Sequence, residues 1–346
     1  QYSNRVFQDS DLANNPSFSN INSEERFFFY DASLKVLHDL TENDQLSANL
    51  LFMNNSLSYA EKADDGVLSE SLRSRLDQST YVASVAFEKS LTSQWNLKAQ
   101  GFASRYSLEA TNVDVVNNQR LIQENSVTEY GFKLDAHYIV SKTLQGKYGY
   151  HFTETGVENL QDVNRPDFRS LTKNILRIHS LYGELLFTSK DESRKLKAGG
   201  RGTYYEKFDN IRLEPFANLQ WQLDEVLSVD VSAETKSQTT SQIIDLQGDF
   251  LGIEKRRWII ADEDENPIVR AKKLSMGIGF SKKKFNVTID AYIKEVGGIT
   301  TRGQAFQNQF EFVKAVGDYD VKGVDVLVQK EWKGVTTWFG YSYARN

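Results

Sequence analysis

Apolar and polar residues alternate one by one over long stretches of this chain. In VLSVDVSAET, Leu227, Val229, Val231 and Ala233 alternate with Ser228, Asp230, Ser232 and Glu234. In KFNVTIDAYIK, Phe285, Val287, Ile289, Ala291 and Ile293 alternate with Asn286, Thr288, Asp290, Tyr292 and Lys294. Successive side chains of a strand point to opposite faces, so this period of two predicts strands with one apolar and one polar face. Strands are expected near Glu25–His38, Gln45–Ser58, Thr80–Ser90, Trp95–Glu109, Ser126–Val140 and Leu144–Thr155. Others follow near Ile175–Ser189, Arg194–Lys207, Arg212–Leu223, Val226–Thr240, Lys272–Ser281, Lys284–Val296, Asp318–Glu331 and Val335–Arg345. Ile175–Ser189 fits worst, because apolar residues fall on both parities.

The connections carry a second pattern. Tight links at Leu91–Gln94, Ser141–Thr143, Asp224–Glu225, Lys282–Lys283 and Lys333–Gly334 alternate with long polar ones. The long ones cover Tyr59–Ser79, Ala110–Asn125, Gly156–Asn174, Ser241–Ala271 and Gly297–Gly317; only Phe208–Ile211 is short where a long one is due. Short turns at one end and long loops at the other are the habit of an outer-membrane barrel, whereas soluble sandwiches mix loop lengths. Most segments also exceed the ~9–11 residues that a tilted strand needs to cross the hydrocarbon. Trp95, Trp221 and Trp332 lie beside tight turns and Trp338 a little beyond one, which suits an aromatic girdle at the periplasmic interface. Tryptophans packed in a β-sheet core are the competing explanation.

This reading assigns a solvent to each face. In SVTEYGFKLDAHYIV, Tyr130, Phe132, Leu134, Ala136 and Tyr138 are expected to face lipid, with Val140 nearing the periplasmic boundary. Glu129, Lys133, Asp135 and His137 are expected to face a hydrated lumen.

Composition narrows the classes. The chain of 346 residues holds 16 Tyr and 21 Phe against 4 Pro, the bias of strands rather than helices. It has no Cys, which excludes disulfides and thiolate metal sites. A net charge of -6 argues against a nucleic-acid partner. No run of 18 apolar residues occurs, which excludes a helical membrane protein but not a membrane barrel, whose strands are only half apolar. The first residues, QYSNRVFQDSDL, show neither a basic n-region nor an apolar h-region, so the chain is expected to be mature or a piece of something longer.

From Arg212 onward the residues carry a resemblance. RLEPFANLQWQL, VLSVDVSAETKSQ, FLGIEKRRWIIADEDENPIVRAKKLSMGIGF, FNVTIDAYIKEVGGI, VKGVDVLVQKEW and TTWFGYSYARN, in that order, resemble the barrel of TonB-dependent outer-membrane transporters, most of all those of the Bacteroidetes. The resemblance implies an all-β, antiparallel transmembrane β-barrel, of whose family total of 22 strands about 14 are present here. It implies a single domain, residues 1–346, forming an internal arc without the plug, the first strands or the last strands. Location in the bacterial outer membrane, among its lipids, follows. So does active import of a scarce nutrient, with a ferric siderophore or similar metal chelate expected. The implied partner is the TonB–ExbB–ExbD complex, reached through a segment not in this chain. Alternatives are a glycan or peptide importer working with a surface lipoprotein lid, and a barrel for secretion or surface assembly. A soluble β-solenoid would need a fixed-period repeat, and none is found.

Chemistry is sparse. No P-loop, GxSxG or HExxH occurs and GIGF is too short for a dinucleotide fingerprint, so no catalytic residue, cofactor or metal site is expected. His38, His137, His151 and His179 are scattered without ligand spacing. Arg256, Arg257 and Trp258, in a predicted extracellular loop, and Arg302, in another, suit an anionic ligand. Salt bridging within the loop, to the acidic run ADEDEN at Ala261–Asn266, competes with that reading.

Overall fold

A computed structural model describes residues 21–346 apart from 64–69, 246–254, 263–265 and 305–311. Sixteen strands account for nearly all of it. β1 (Ile21–Asp39), β2 (Asp44–Ala63), β3 (Glu70–Ser90), β4 (Trp95–Asp114), β5 (Gln119–Ile139), β6 (Leu144–Asn164) and β7 (Asp167–Thr188) are long. β8 (Arg194–Tyr205), β9 (Asn210–Gln222) and β10 (Leu227–Gln238) are short, and a hairpin of β11 (Thr240–Asp245) and β12 (Lys255–Ile260) follows. β13 (Val269–Lys282), β14 (Phe285–Gln304), β15 (Phe312–Trp332) and β16 (Val335–Arg345) complete the chain.

Fourteen of these form one antiparallel meander in sequence order, with β10 beside β13; β11 and β12 form a separate two-stranded sheet. Each of the fourteen expected strands has its counterpart. The long polar links do not behave as expected, because most are continuations of the strands. β4 and β5 stay paired from Trp95↔Tyr138 to Asp114↔Gln119, and β6 and β7 to Asn164↔Asp167. Alternation fades there because both faces of a hairpin that rises clear of the membrane meet water, so polarity no longer reports which way a residue points. Ser241–Ala271 likewise holds the β11–β12 hairpin.

Directly opposed residues share a face, so the registers sort the whole sheet into two surfaces. One is apolar and bare: Leu34, Leu50, Val85, Leu134, Leu181, Leu213, Leu274 and Met276 are all exposed on it. The other carries Lys98, Asp135, Tyr182, Arg201 and Glu214 in one cross-strand row. A sheet with that division fits lipid outside and water inside. The buried side chains Val157, Leu176, Tyr205, Ile260, Ala261 and Ile268 cluster on the inner surface, above the charged row.

Candidate functional site

The residues of β5 fall as their parity requires. Tyr130, Phe132 and Leu134 are exposed on the outer face, and Tyr138 stacks on Trp95 there, with ring centroids 4.3 Å apart. Glu129, Lys133, Asp135 and His137 share the inner face. Glu129 accepts a bond from Thr155 at 3.4 Å, Lys133 lies over the Phe102 ring at 5.0 Å, and His137 is 3.2 Å from Gln145.

Asp135 anchors an inner-wall network that spans four strands. The Tyr182 hydroxyl donates to its Oδ1 at 2.7 Å, and His151 Nε2 lies 2.9 Å from the same oxygen. Arg201 Nη2 donates to His151 Nδ1 at 3.3 Å, so the imidazole proton sits on Nε2, aimed at the carboxylate. Arg201 also lies 5.8 Å from the Tyr182 ring centroid. A glycine makes this convergence possible: a Cβ on Gly149 would meet Asp135 at 2.5 Å and Tyr182 at 2.2 Å. The result is a pinned, charged patch on the inner face, able to bind polar groups.

The loop between β10 and β13 departs from expectation. Instead of standing outward, its β11–β12 hairpin folds onto the inner surface of β5–β7. Trp258 is held by its backbone: its N–H donates to Asn125 Oδ1 at 3.1 Å, and its carbonyl accepts from Asn125 Nδ2 at 3.4 Å and Asn159 Nδ2 at 3.3 Å. Asn125 Nδ2 also donates to Asn159 Oδ1 at 2.8 Å, which fixes both amides. Below this clamp, Ile260 packs with Val157, Leu176 and Tyr205, and the Trp258 ring lies against the same cluster. Trp258 is therefore half-buried in packing, and Arg257 half-buried beside it. The backbone of Arg256 pairs with Ile244 and that of Arg302 with Lys314; both side chains lie outside the described residues. Of the acidic run, Asp262 turns back on Asn266, accepting its backbone N–H at 2.8 Å. Asn125 and Asn159 escape a sequence search because each looks like any polar strand residue.

The tryptophans divide. Trp95, Trp221 and Trp332 lie on the outer face at the short-turn end, Trp221 beneath the Arg194 guanidinium at 4.7 Å. Trp338 differs: it opposes Gln329, which opposes Asn286, and so points to the polar side, 75% exposed. Its place in an aromatic girdle is thereby corrected, because the strand parity puts Phe339 on the outer face instead. A second outer belt was not foreseen. Tyr30, Phe52 and Tyr81 join in tilted contacts at 5.3 and 4.8 Å, about midway along their strands.

Solved structures carry this architecture over nearly the whole chain. The RagAB peptide transporter matches with a TM-score of 0.63 at 10% identity, over 92% of this chain and 47% of that one. The fold is that of an outer-membrane transporter barrel. The outer membrane transporter YddB from Escherichia coli matches at 0.54 and 11% identity, over 92% and 55% of the two chains. The ferric citrate transporter FecA matches at 0.56 and 12%, over 91% and 54%. This barrel wall spans about half the length of each. No family model matches the chain, and no curated protein matches its sequence. The Asp135 row and the inward hairpin share one face of the sheet, and the aromatic belts lie on the other.

Proposed function

We propose that the chain is an internal arc, residues 1–346, of the barrel of a TonB-dependent transporter that imports a scarce nutrient across the bacterial outer membrane. What supports this most is the pairing of a bare apolar outer face with a charged, hydrogen-bonded inner face in the transporter fold. The wall residues Asp135, His151, Tyr182 and Arg201 keep a hydrated surface against which a plug and a passing solute can slide without adhering. The β11–β12 hairpin narrows the entrance above them. Energy would come from the TonB–ExbB–ExbD complex, acting outside this chain, and no reaction is catalysed. The cargo we favour is a ferric siderophore or similar metal chelate, a class of ligand that arginines suit, and Arg256 and Arg257 on β12 and Arg302 on β14 are the candidates to meet it.

A second reading, a peptide importer with a surface lipoprotein lid, draws on the likeness to the RagAB peptide transporter. Uptake by a deletion strain complemented with the full-length gene separates the two. Loss of growth on iron-chelated medium supplied with ferric siderophores supports the first, and loss on peptide-limited medium supports the second. Uptake that continues after the proton gradient is collapsed would overturn both, since neither energy source nor TonB would then be needed.

A further inference from the structure

The outer face of β1–β5 contains a feature that transport does not use. Ala83 and Ala103 are opposed on neighbouring strands, and Leu34, Leu50 and Tyr130 stand around them. Small side chains among large ones leave a depression of about 470 Å³ in the wall. Arg105 lies one outward-facing position above Ala103 and also lines it. Its cross-strand neighbours are Tyr81 and Thr128, both able to donate through a hydroxyl.

Height gives this arginine its meaning. A strand tilted by ~40° climbs about 2.5 Å per residue, so Arg105 sits roughly 25 Å above Trp95, the thickness of a barrel's apolar band. That is the headgroup level of the outer leaflet. Among the described residues Arg105 makes no hydrogen bond or ion pair. Of the carboxylates on the same face, Asp77 is engaged by Arg75 at 2.6 Å and Glu154 by Arg177 at 2.7 Å, while Glu109 and Glu124 oppose each other two outward-facing positions above Arg105. A guanidinium against lipid is costly unless an anion meets it, and phosphate matches its fork with two bonds.

We propose that this face binds a phosphorylated lipid of the outer leaflet, with Arg105 on the phosphate and an acyl chain in the depression beneath. Tyr81 and Thr128 supply further donors to the phosphate oxygens. The site selects the lipid by its headgroup, since any lipid has a chain to offer the groove.

Native mass spectrometry of the full-length barrel in detergent tests this, with lipid A and diacylglycerol as competing probes. Wild type is expected to retain lipid A at least ten-fold over diacylglycerol. Arg105→Gln is expected to lose that preference, and Arg75→Gln, on the same face but paired with Asp77, to keep it. Ala103→Phe fills the groove without touching the charge and should lower retention several-fold while the barrel stays heat-modifiable on gels. Equal retention of the two probes by wild type, or undiminished lipid A retention in both Arg105→Gln and Ala103→Phe, would overturn the proposal.

Discussion

At the scale of single residues, neighbours in sequence stand on opposite faces of the sheet. Leu134 is half exposed on the outer face, while Asp135 accepts bonds from Tyr182 and His151 on the inner one. Leu134→Arg is expected to cost about 2–4 kcal/mol of barrel stability near mid-membrane. Asp135→Asn keeps an acceptor in water-lined surroundings and should cost under ~1.5 kcal/mol. Urea titrations of vesicle-inserted protein check both, and equal losses would end the face assignment. A third residue titrates outside the membrane. Hydrogen bonds from Ser189 and Ser193 hold the Asp191 carboxyl down at about 2, against an ordinary 3.8. A depressed carboxylate contributes its stabilisation in full above the ordinary value and loses it as pH falls through the depressed one. The Ser189–Arg194 turn should therefore hold to about pH 4 and loosen toward pH 2, as followed by the carboxyl chemical shift. A midpoint near 4 would mean that these bonds do not form.

At the scale of elements, β7 shows what one hairpin does to a pattern. Its apolar residues occupy both parities, which a strand between lipid and water should not show. Ile175 and Leu181 are exposed on the outer face, but Leu176 is fully buried and Ile178 packs beside it on the inner face, under Ile260 of the hairpin. Short β8 and β9 leave the far edge of β7 unpaired beyond Ile178, and the hairpin packs on the inner face of β5–β7. Leu176→Asp should leave membrane insertion intact and undock the hairpin, whereas Ile175→Asp should impair insertion. Asn125→Ala removes three polar contacts from the clamp on Trp258, and each bond left unmade costs about 1–3 kcal/mol. Amide exchange at Trp258 should then quicken ten-fold or more. Unchanged exchange would show that the apolar cluster alone holds the hairpin.

For the whole molecule, two aromatic belts bracket the bare surface, with Trp95, Trp221 and Trp332 below and Tyr30, Phe52 and Tyr81 above. All 5 tryptophans of the chain can be tested one at a time in single-tryptophan variants. Brominated lipids should quench Trp95, Trp221 and Trp332. Trp338 and Trp258 should escape them, with Trp338 instead open to an aqueous quencher. Quenching of Trp338 by lipid would restore it to the girdle and refute the register of β16.

The fourteen strands of the main sheet, their order and its two faces were legible in the sequence because they follow from a local rule. Side chains alternate, and a wall between lipid and water needs residues of opposite character at each step. Tight turns against long links gave the two ends for the same reason. The inward hairpin was not legible, since its contacts join residues 133 apart, Asn125 to Trp258, and leave no periodic trace. The Asp135–His151–Tyr182–Arg201 network needed the registers of four strands, which parity alone does not supply. Trp338 shows the same limit, because nearness to a turn gave its height but only pairing with Gln329 gave its side. What the sequence determined by itself is a sheet that must separate two solvents. Which polar groups meet across that sheet, and what folds into its interior, depended on closing long-range distances, and only the tertiary structure decided them.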